Sequence, residues 1–396
     1  MTPIEDALAT LLSDVQTIDA RDTIAVIDAH HRVLAESQRA SINVPPADVS
    51  AMDGFAIALN QVQINSPVPI SQRIAAGHPA SPLQANSAAR LFTGSEIPAG
   101  ADTVVIQENT DLDQDDAVIF LQLPQSGANI RRRGQDIVAG AEILPPGRRL
   151  LAQDLGLLAS VGIHEVSCYR QVKVGVLSSG DELMEPGETP QPGKIFNSNR
   201  FTLKGLINSA GMEFVNLGHV EDDLTATVDA LQRATEQADL IITTGGVSVG
   251  EEDHIKSAVE SLGQLNLWKL AIKPGKPLAY GRIQGKPFFG LPGNPVAVFV
   301  TFLMIVRPYL QHMQGEQDTA IQTISLPSDF AIAKASPRQE YRRVRIHDGV
   351  VTEYHTQDSG VLTSTHWANA LAVIPANATI AKGDVLQVYP FSLFNL

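Results

Sequence analysis

The stretch from Ile241 to Asp253 constrains the fold more than any other part of the chain. It begins in an apolar run that predicts a buried strand, and Gly245 and Gly246 end that strand before a helical pattern over 255–262. A strand, a glycine turn and a helix are typical of the edge where open α/β sheets bind anions, because free backbone N–H groups point at the ligand. An ordinary tight turn would also carry two glycines, so the other motifs must decide.

The same stretch carries the groups that a metal ion needs. Ser248 adds a hydroxyl, and Glu251, Glu252 and Asp253 add carboxylates. Carboxylates beside an anion site repel the anion unless a cation such as Mg²⁺ lies between them. The spacing matches neither the dinucleotide-binding fingerprint nor the phosphate-binding loop of nucleotide hydrolases.

The pattern of elements predicts several domains, since 396 residues exceed what one core usually holds. Helical spacing over 3–16 predicts an amphipathic first helix, and alternating strands and helices predict a doubly wound α/β domain. Short apolar runs divided by Pro, Gly, Asn and Asp predict two small all-β domains. The predicted domains are a linking region at 1–43 and 138–167, an inserted all-β segment at 44–137, the α/β domain at 168–318 and a C-terminal all-β domain at 319–396.

Composition limits the partners and the compartment. A formal net charge of −14 argues against nucleic acid and against anionic membranes as main partners. Cys168 is the only cysteine, which excludes an internal disulfide, and its apolar setting predicts a buried structural thiol. The sequence shows no signal peptide and no apolar run approaching a membrane span, so we expect a cytoplasmic protein without a membrane partner.

A basic loop is predicted at the same sheet edge. Lys273 and Lys276 lie on a Pro-Gly turn after a predicted strand at 267–272, and Lys269 lies four residues before Lys273. The period-two alternation of a strand predicts that Lys269 and Lys273 face the same side. Phosphate or another oxyanion would explain the cluster, whereas a solvated basic turn is the alternative.

Carboxylates gather beside this loop and favour Mg²⁺, which prefers oxygen ligands near phosphate. Asp181, Glu182, Asp222 and Asp223 follow predicted strands, although Asp222 and Asp223 also suit a helix N-cap. The arginine run 131–133 predicts a carboxylate or phosphate partner, with a solvated surface run as the alternative.

Taken in order, the motifs resemble those of the molybdopterin molybdenumtransferases, which insert molybdenum into the molybdenum cofactor and include the E domain of gephyrin. The resemblance extends through essentially the whole chain. The matching motifs are Ser50-Ala-Met-Asp-Gly54, Phe92-Thr-Gly94, Asn129-Ile-Arg-Arg-Arg-Gly-Gln-Asp136, Ser179-Gly-Asp-Glu-Leu183, Gly245-Gly-Val-Ser-Val-Gly250, Lys273-Pro-Gly-Lys-Pro277 and Leu291-Pro-Gly-Asn-Pro295.

The resemblance implies an elongated linking domain, an inserted β lid, an α/β molybdopterin-binding domain and a C-terminal β-barrel. It also implies a homodimer whose active site is shared between one subunit's lid and the other's α/β domain, and it allows transient contact with other cofactor-biosynthesis proteins. The implied substrates are adenylylated molybdopterin and molybdate, with Mg²⁺-dependent release of AMP. The alternatives are a molybdopterin adenylyltransferase, which would consume ATP, and a non-catalytic scaffold.

The family's functional positions map onto individual residues of this chain. The implied catalytic acids are Asp53, Asp136, Glu182, Asp222 and Asp253, of which Glu182 and Asp253 would also hold the metal. The implied cofactor-binding residues are Thr93, Gly245, Gly246, Ser248, Lys269, Lys273, Lys276, Pro292 and Pro295. The chain departs from the family pattern at Asp48-Val-Ser50 and at Asn197, and the segments 338–341 and 359–364 match it only loosely.

Overall fold

A computed structural model describes residues 1–114, 116–245, 254–317 and 319–396 of the chain. The first residues form α1 (Ile4–Ser13), followed by β1 (Arg21–Ala25) and β2 (Gln38–Arg39). The apolar face of α1 packs against the α/β domain, where Leu11 is fully buried. Asp14 then accepts a hydrogen bond from Tyr280 Oη at 2.5 Å. This hydrogen bond holds the pKa of Asp14 below its usual range and helps to fix the helix in place.

The inserted segment is built from short strands, as the sequence predicts. They are β3 (Val49–Ser50), β4 (Gly54–Ile57), β5 (Pro67–Val68), β6 (Ile70–Ile74), β7 (Ala88–Leu91), β8 (Thr103–Ile106), β9 (Thr110–Leu112), β10 (Val118–Phe120) and β11 (Ile130–Arg131). Their sheets have the orders β6-β7-β4-β8, β5-β10-β9 and β11-β3. Gly54 begins β4 where a Cβ atom would lie 2.0 Å from the carbonyl oxygen of Val105, so only glycine allows this approach of β8.

The arginine run finds a carboxylate partner at the base of the inserted segment. Arg132 Nη1 lies 2.6 Å from Asp48 Oδ2, and the Arg133 backbone N–H donates to Asp48 Oδ1 at 2.8 Å. The hydrogen bond from Arg133 and the charge of Arg132 outweigh the effect of burial and hold the pKa of Asp48 below its usual range. The predicted partner is therefore confirmed for Arg132.

The returning chain completes the linking region with β12 (Glu142–Leu144), α2 (Ala152–Ser160) and β13 (Glu165–Tyr169). β1 pairs with β13 and β2 pairs with β12, and both pairs are antiparallel. Strands that precede the inserted segment in sequence are therefore paired with strands that follow it. Cys168 on β13 is buried as predicted, and burial raises the pKa of its thiol to about 11.

The α/β domain follows in the predicted alternation. Its elements are β14 (Lys173–Ser179), β15 (Leu183–Met184), β16 (Ile195–Phe196), α3 (Ser198–Ser209), β17 (Glu213–Val220), α4 (Leu224–Gln237), β18 (Leu240–Thr244), α5 (His254–Leu262), β19 (Gly263–Lys269), β20 (Ile272–Lys273), β21 (Pro277–Ile283), β22 (Lys286–Leu291), α6 (Pro295–Thr301), a π-helical turn (Phe302–Val306) and α7 (Arg307–Met313). The main sheet has the order β17-β14-β18-β22-β21-β19. The first four of these strands are parallel, and β21 runs antiparallel to both neighbours.

Helices cover both faces of this sheet, which confirms the doubly wound class. Successive strand residues face opposite sides: Val176 packs in the cluster that holds α3 and α6, whereas Leu177 packs with α4 and α5. The helical stretch Pro295–Met313 is long and apolar enough to cross a membrane, which was not expected from the sequence, but 94% of it is buried within the protein. Its composition is explained by its place in the core.

The prediction of one continuous strand at 267–272 is wrong, and the difference affects the site. β19 ends at Lys269, and the chain then leaves the α/β sheet, because β20 pairs with a C-terminal strand. Lys269 and Lys273 therefore do not share a face of one strand. Leu270 and Ile272 are both fully buried, which explains why the apolar run resembled a single strand although it serves two sheets.

The C-terminal domain contains β23 (Ile324–Pro327), β24 (Gln339–His347), β25 (Val350–Glu353), α8 (Thr363–Trp367), β26 (Ala370–Ile374) and β27 (Val385–Pro390). Its sheet has the order β20-β24-β26-β27-β23, and β25 pairs with β24. Within the described ranges these strands do not form a continuous closed barrel. β25 and the residue after β23 are joined by one bridge between Ser328 and Val351, so the implied β-barrel is corrected to a sheet that continuous strand pairing does not close.

Replacing Leu11 by alanine should lower the free energy of unfolding by about 2–5 kcal/mol, because it leaves a cavity where α1 meets the α/β core. Urea unfolding followed by circular dichroism measures the loss. Leu12→Ala is the matched control. Because Leu12 is only half-buried, this substitution should lower the free energy of unfolding clearly less. Equal losses would contradict the packing described for α1.

Asp48→Asn should destabilise the inserted segment near neutral pH by up to about 1 kcal/mol, as expected for a partly exposed ion pair. Because folding lowers the pKa of Asp48, its contribution is present above the unfolded pKa of about 3.9. It is lost as the pH falls through the lower folded value. Thermal unfolding of the wild type and of Asp48→Asn, measured from neutral to acidic pH, should show that the difference between their unfolding temperatures becomes smaller as the pH falls. A difference that stays constant with pH would contradict this assignment.

Candidate active site

A cleft of about 640 Å³ lies at the edge where β14, β18 and β22 end. Parallel strands place the loops that follow them at one edge, and β19 also ends there because it runs antiparallel to β21. The cleft is lined by Glu182, Ile195, Gly245, Lys273, Pro274, Gly275, Lys276, Pro277, Pro292, Gly293, Asn294, Ala297, Arg338, Gln357, Asp358 and Ser359. The last four belong to the C-terminal domain, so the α/β edge is only one wall of the site.

Three cations line this cleft. Lys273 Nζ lies 3.0 Å from Glu340 Oε1, and Arg338 Nη1 donates to the carbonyl oxygen of Ile272 at 3.2 Å. Among the described residues, neither Lys276 nor Arg338 forms an ion pair. The turn that holds the lysines requires glycine, because Gly275 has φ +103° and a Cβ atom there would lie 2.5 Å from Thr301 Oγ1. Within the described residues the cleft therefore holds two cationic side chains without an ion-pair partner, although the carboxylates of Glu182 and Asp358 also line it.

The C-terminal domain is joined to the start of α6 beside the cleft. Pro295 occupies the first turn of the helix, as predicted for a proline at a helix start. The Val296 N–H donates to the carbonyl oxygen of Ser359, and Asn294 Nδ2 donates to Ser359 Oγ, both at 3.1 Å. Asn294 and Val296 are thus held against the segment that contains Ser359.

The acids after β14 and β17 have different surroundings. Glu182 lines the cleft. Asp222 Oδ1 accepts a hydrogen bond from Ser179 Oγ at 3.0 Å, and the Asp222 N–H donates to Asp181 Oδ1 at 3.2 Å. Asp223 is the N-cap of α4, where it accepts from the Ala226 N–H at 2.7 Å. The helix-cap alternative therefore applies to Asp223, and Asp222 is held beside the end of β14.

In the inserted segment, Asp53 and Thr93 form one hydrogen-bonded unit. The Thr93 N–H and hydroxyl both donate to Asp53 Oδ1, at 2.7 and 2.8 Å. These two hydrogen bonds, the backbone one foremost, hold the pKa of the Asp53 carboxyl below its usual range. Asp136 is exposed and its N–H donates to the carbonyl oxygen of Val44. Asp53 and Asp136 therefore both present carboxylates at the surface.

The structure brings together only part of the predicted site. Glu182, Gly245, Lys273, Lys276 and Pro292 line one cleft and Pro295 begins the helix beside it, whereas Lys269 does not line the cleft. The predictions for Gly246, Ser248 and Asp253 lie outside the described residues. The hydrogen bonds and ion pairs described for residues 44–137, which include Asp53, Thr93 and Asp136, remain within that segment.

Sequence reasoning did not assign site roles to Arg338, Gln357, Asp358 and Ser359. The loose match of 338–341 and 359–364 to family segments was a signal for Arg338 and Ser359, and no signal pointed to Gln357 and Asp358. In the part of the chain that the structure describes, no group of three or more His, Cys, Asp or Glu side chains could hold a metal ion. A Mg²⁺ site built on Glu182 would therefore need ligands from outside these ranges or from the substrate.

Comparisons with known proteins agree with this architecture. Family models match the MoeA N-terminal region (domains I and II) at residues 2–162, a probable molybdopterin binding domain at 175–312 and the MoeA C-terminal region (domain IV) at 325–391. The chain is 41% identical to the molybdopterin molybdenumtransferase of Haemophilus influenzae, with 99% of each chain covered. It is 33% identical to the one of a Nostoc species, over 98% of this chain and 93% of the relative.

The fold is also that of a solved structure. The crystal structure of the molybdopterin biosynthesis MoeA protein from Pyrococcus horikoshii superposes with a TM-score of 0.85 at 28% identity, covering 98% of this chain and 99% of that one. Sequence relatives and a solved structure that extend over nearly the whole length thus agree with the family that the motifs indicate. The chain belongs to the molybdopterin molybdenumtransferase family.

Proposed function

We propose that this protein transfers molybdenum to molybdopterin, using adenylylated molybdopterin and molybdate as substrates and releasing AMP. The observation that carries the proposal is the convergence of Lys273, Lys276 and Arg338 on one cleft at the carboxyl edge of the sheet. Two domains supply these cations, and both substrates are anions with several oxygen atoms. Relatives that cover the whole chain and carry the name molybdopterin molybdenumtransferase support the same reaction.

The cationic residues would supply most of the binding energy for the oxyanion. Lys276 and Arg338 have no carboxylate partner among the described residues. Arg338 Nη1 donates to the carbonyl oxygen of Ile272, so the Lys276 ammonium group and the remaining Arg338 donors can bind molybdate or phosphate oxygens. Charge-assisted hydrogen bonds of this kind are the stronger ones, and in a cleft they stabilise charge that develops during the reaction. The Gly245 turn and Pro292 would shape the wall against which the ligand lies.

Glu182 lines the same cleft and would hold Mg²⁺ together with Asp253, which lies outside the described residues. Carboxylate oxygens are the ligands that Mg²⁺ prefers. When bound, the ion would neutralise phosphate charge as a Lewis acid. Asp222 would serve beside it as an acid oriented by Ser179.

We further propose a homodimer with a shared site, located in the cytoplasm. The Asp53–Thr93 unit and Asp136 belong to a segment whose described hydrogen bonds do not reach the cleft of the same chain. A second subunit would bring the two sets of residues together, with the lid of one facing the α/β domain of the other. Contacts with other cofactor-biosynthesis proteins would be transient.

The test mixes purified protein with adenylylated molybdopterin, Mg²⁺ and molybdate, and follows release of AMP and formation of active cofactor. Lys276→Ala should lower kcat/KM for molybdate roughly 10- to 100-fold, the effect of losing one charged hydrogen bond. Lys286→Ala is the matched control, because Lys286 begins β22 at the opposite edge and pairs with Asp239. ATP-dependent adenylylation of molybdopterin without molybdate-dependent AMP release would indicate an adenylyltransferase instead, and neither activity would favour a scaffold.

Mixing two variants of strongly reduced activity tests the shared site. Asp53→Ala damages the lid and Lys276→Ala damages the cleft, so a mixed dimer has one intact site and one doubly damaged site. After subunit exchange at equal concentrations, about half of the dimers are mixed and activity should return to about a quarter of the wild-type value. Mixing Asp53→Ala with Thr93→Ala, two lid variants, should restore nothing. No recovery in the first mixture would place the site within one chain.

A further inference from the structure

Lys273 of the cleft is held by the C-terminal domain as well as by the α/β domain. Its strand β20 pairs in parallel with β24, which places Ile272 opposite Gln339 and Lys273 opposite Glu340. The Gln339 N–H donates to the carbonyl oxygen of Ala271 at 2.9 Å. The position of the Lys273 backbone is therefore set by a sheet of the other domain.

The side chain of Lys273 is held by the same strand. Paired residues in neighbouring strands project to the same face, and Lys273 Nζ donates to Glu340 Oε1 at 3.0 Å. The Glu340 side chain is only 7% exposed, whereas that of Lys273 is 43% exposed and opens into the cleft. An ammonium group has three donors, so this contact leaves donors free for a ligand.

Glu340 cannot pivot away from Lys273, because its other oxygen is also bound. Arg342, two residues along β24 and on the same face, donates from Nε to Glu340 Oε2 at 3.1 Å. Arg342 in turn pairs with Glu353. Burial alone would raise the pKa of Glu340, but the hydrogen bond from Lys273 and the charges of Lys273 and Arg342 outweigh it and hold that pKa below its usual range. The carboxylate is thus held by a cationic donor at each of its two oxygens.

We propose that Glu340 is a positioning residue for oxyanion binding: it fixes the ammonium group of Lys273 at the wall of the cleft without contacting the ligand. The inference rests on the proposed function, since it assigns Lys273 to the oxyanion. It gives the C-terminal domain a defined part in substrate binding that goes beyond lining the cleft. The ion pairs from Lys273 and Arg342 to the buried Glu340 carboxylate set the position of the Lys273 ammonium group.

The experiment measures KM for molybdate and kcat for AMP release, together with calorimetric binding of sodium molybdate. Glu340→Ala frees the Lys273 side chain and should raise KM and Kd about tenfold, the worth of one charge-assisted contact, with kcat changed less. Glu340→Gln keeps an oxygen acceptor for Lys273, so its KM and Kd for molybdate should remain within about threefold of the wild-type values. Glu353→Ala is the matched control, since it removes the other carboxylate from Arg342 but does not touch Lys273.

Each remaining outcome overturns a specific statement. Unchanged KM in Glu340→Ala, with the wild type active, would overturn the positioning role and leave the proposed function intact. Tighter molybdate binding in Glu340→Ala and Glu340→Gln would show that the carboxylate competes with the oxyanion for Lys273. If Glu340→Ala fails to fold, Glu340→Asp keeps the charge, draws it back by one methylene and should still raise KM. An inactive wild type would instead contradict the proposed function itself.

Discussion

Between Lys269 and Pro277 the chain leaves the α/β sheet, joins the C-terminal sheet and returns. The position of the basic loop in the cleft depends on this crossing between the two sheets. β19 ends in the α/β sheet, β20 joins the C-terminal sheet, and β21 returns to the first sheet. The basic loop is therefore anchored on both sides by backbone hydrogen bonds of different domains. Because buried ladders of this kind are costly to break, the loop has little freedom to move relative to either domain.

Strand β24 also positions residues on two sides of the cleft. On one face of β24, Glu340 and Arg342 hold Lys273. Arg343, which faces the other way and is almost fully buried, donates from Nη2 to the carbonyl oxygen of Asp358 and from Nε to Ser364 Oγ. A buried guanidinium needs such partners, since an unpaired one would be strongly destabilising. The strand thus links the basic loop to the segment that carries Asp358 and Ser359.

The sequence predicted well what depends on local periodicity. The helical spacing over 3–16 corresponds to α1 within three residues at each end, and the helical pattern over 255–262 corresponds to α5 within one residue. What it could not predict were pairings between distant residues. An apolar run such as 267–272 does not show that its halves serve two sheets, and nothing near Lys273 indicates that its partner is Glu340, 67 residues later. For the same reason Arg338 and Ser359 were not assigned to the site, although Lys273 and Lys276 were.

The insertion of the lid into the linking region also orders events during synthesis. Arg21 on β1 pairs with Tyr169 on β13, so the first strand leaves the ribosome long before its partner exists. The strands of the lid pair among themselves within 44–137 and have all their partners as soon as that segment has emerged. Contacts of low sequence separation form first, and domains generally fold as units in the order in which they are made. The nascent chain can therefore fold the lid while β1 of the linking region still lacks its partner β13. The inserted domain forms first, and the linking region that surrounds it in sequence forms afterwards.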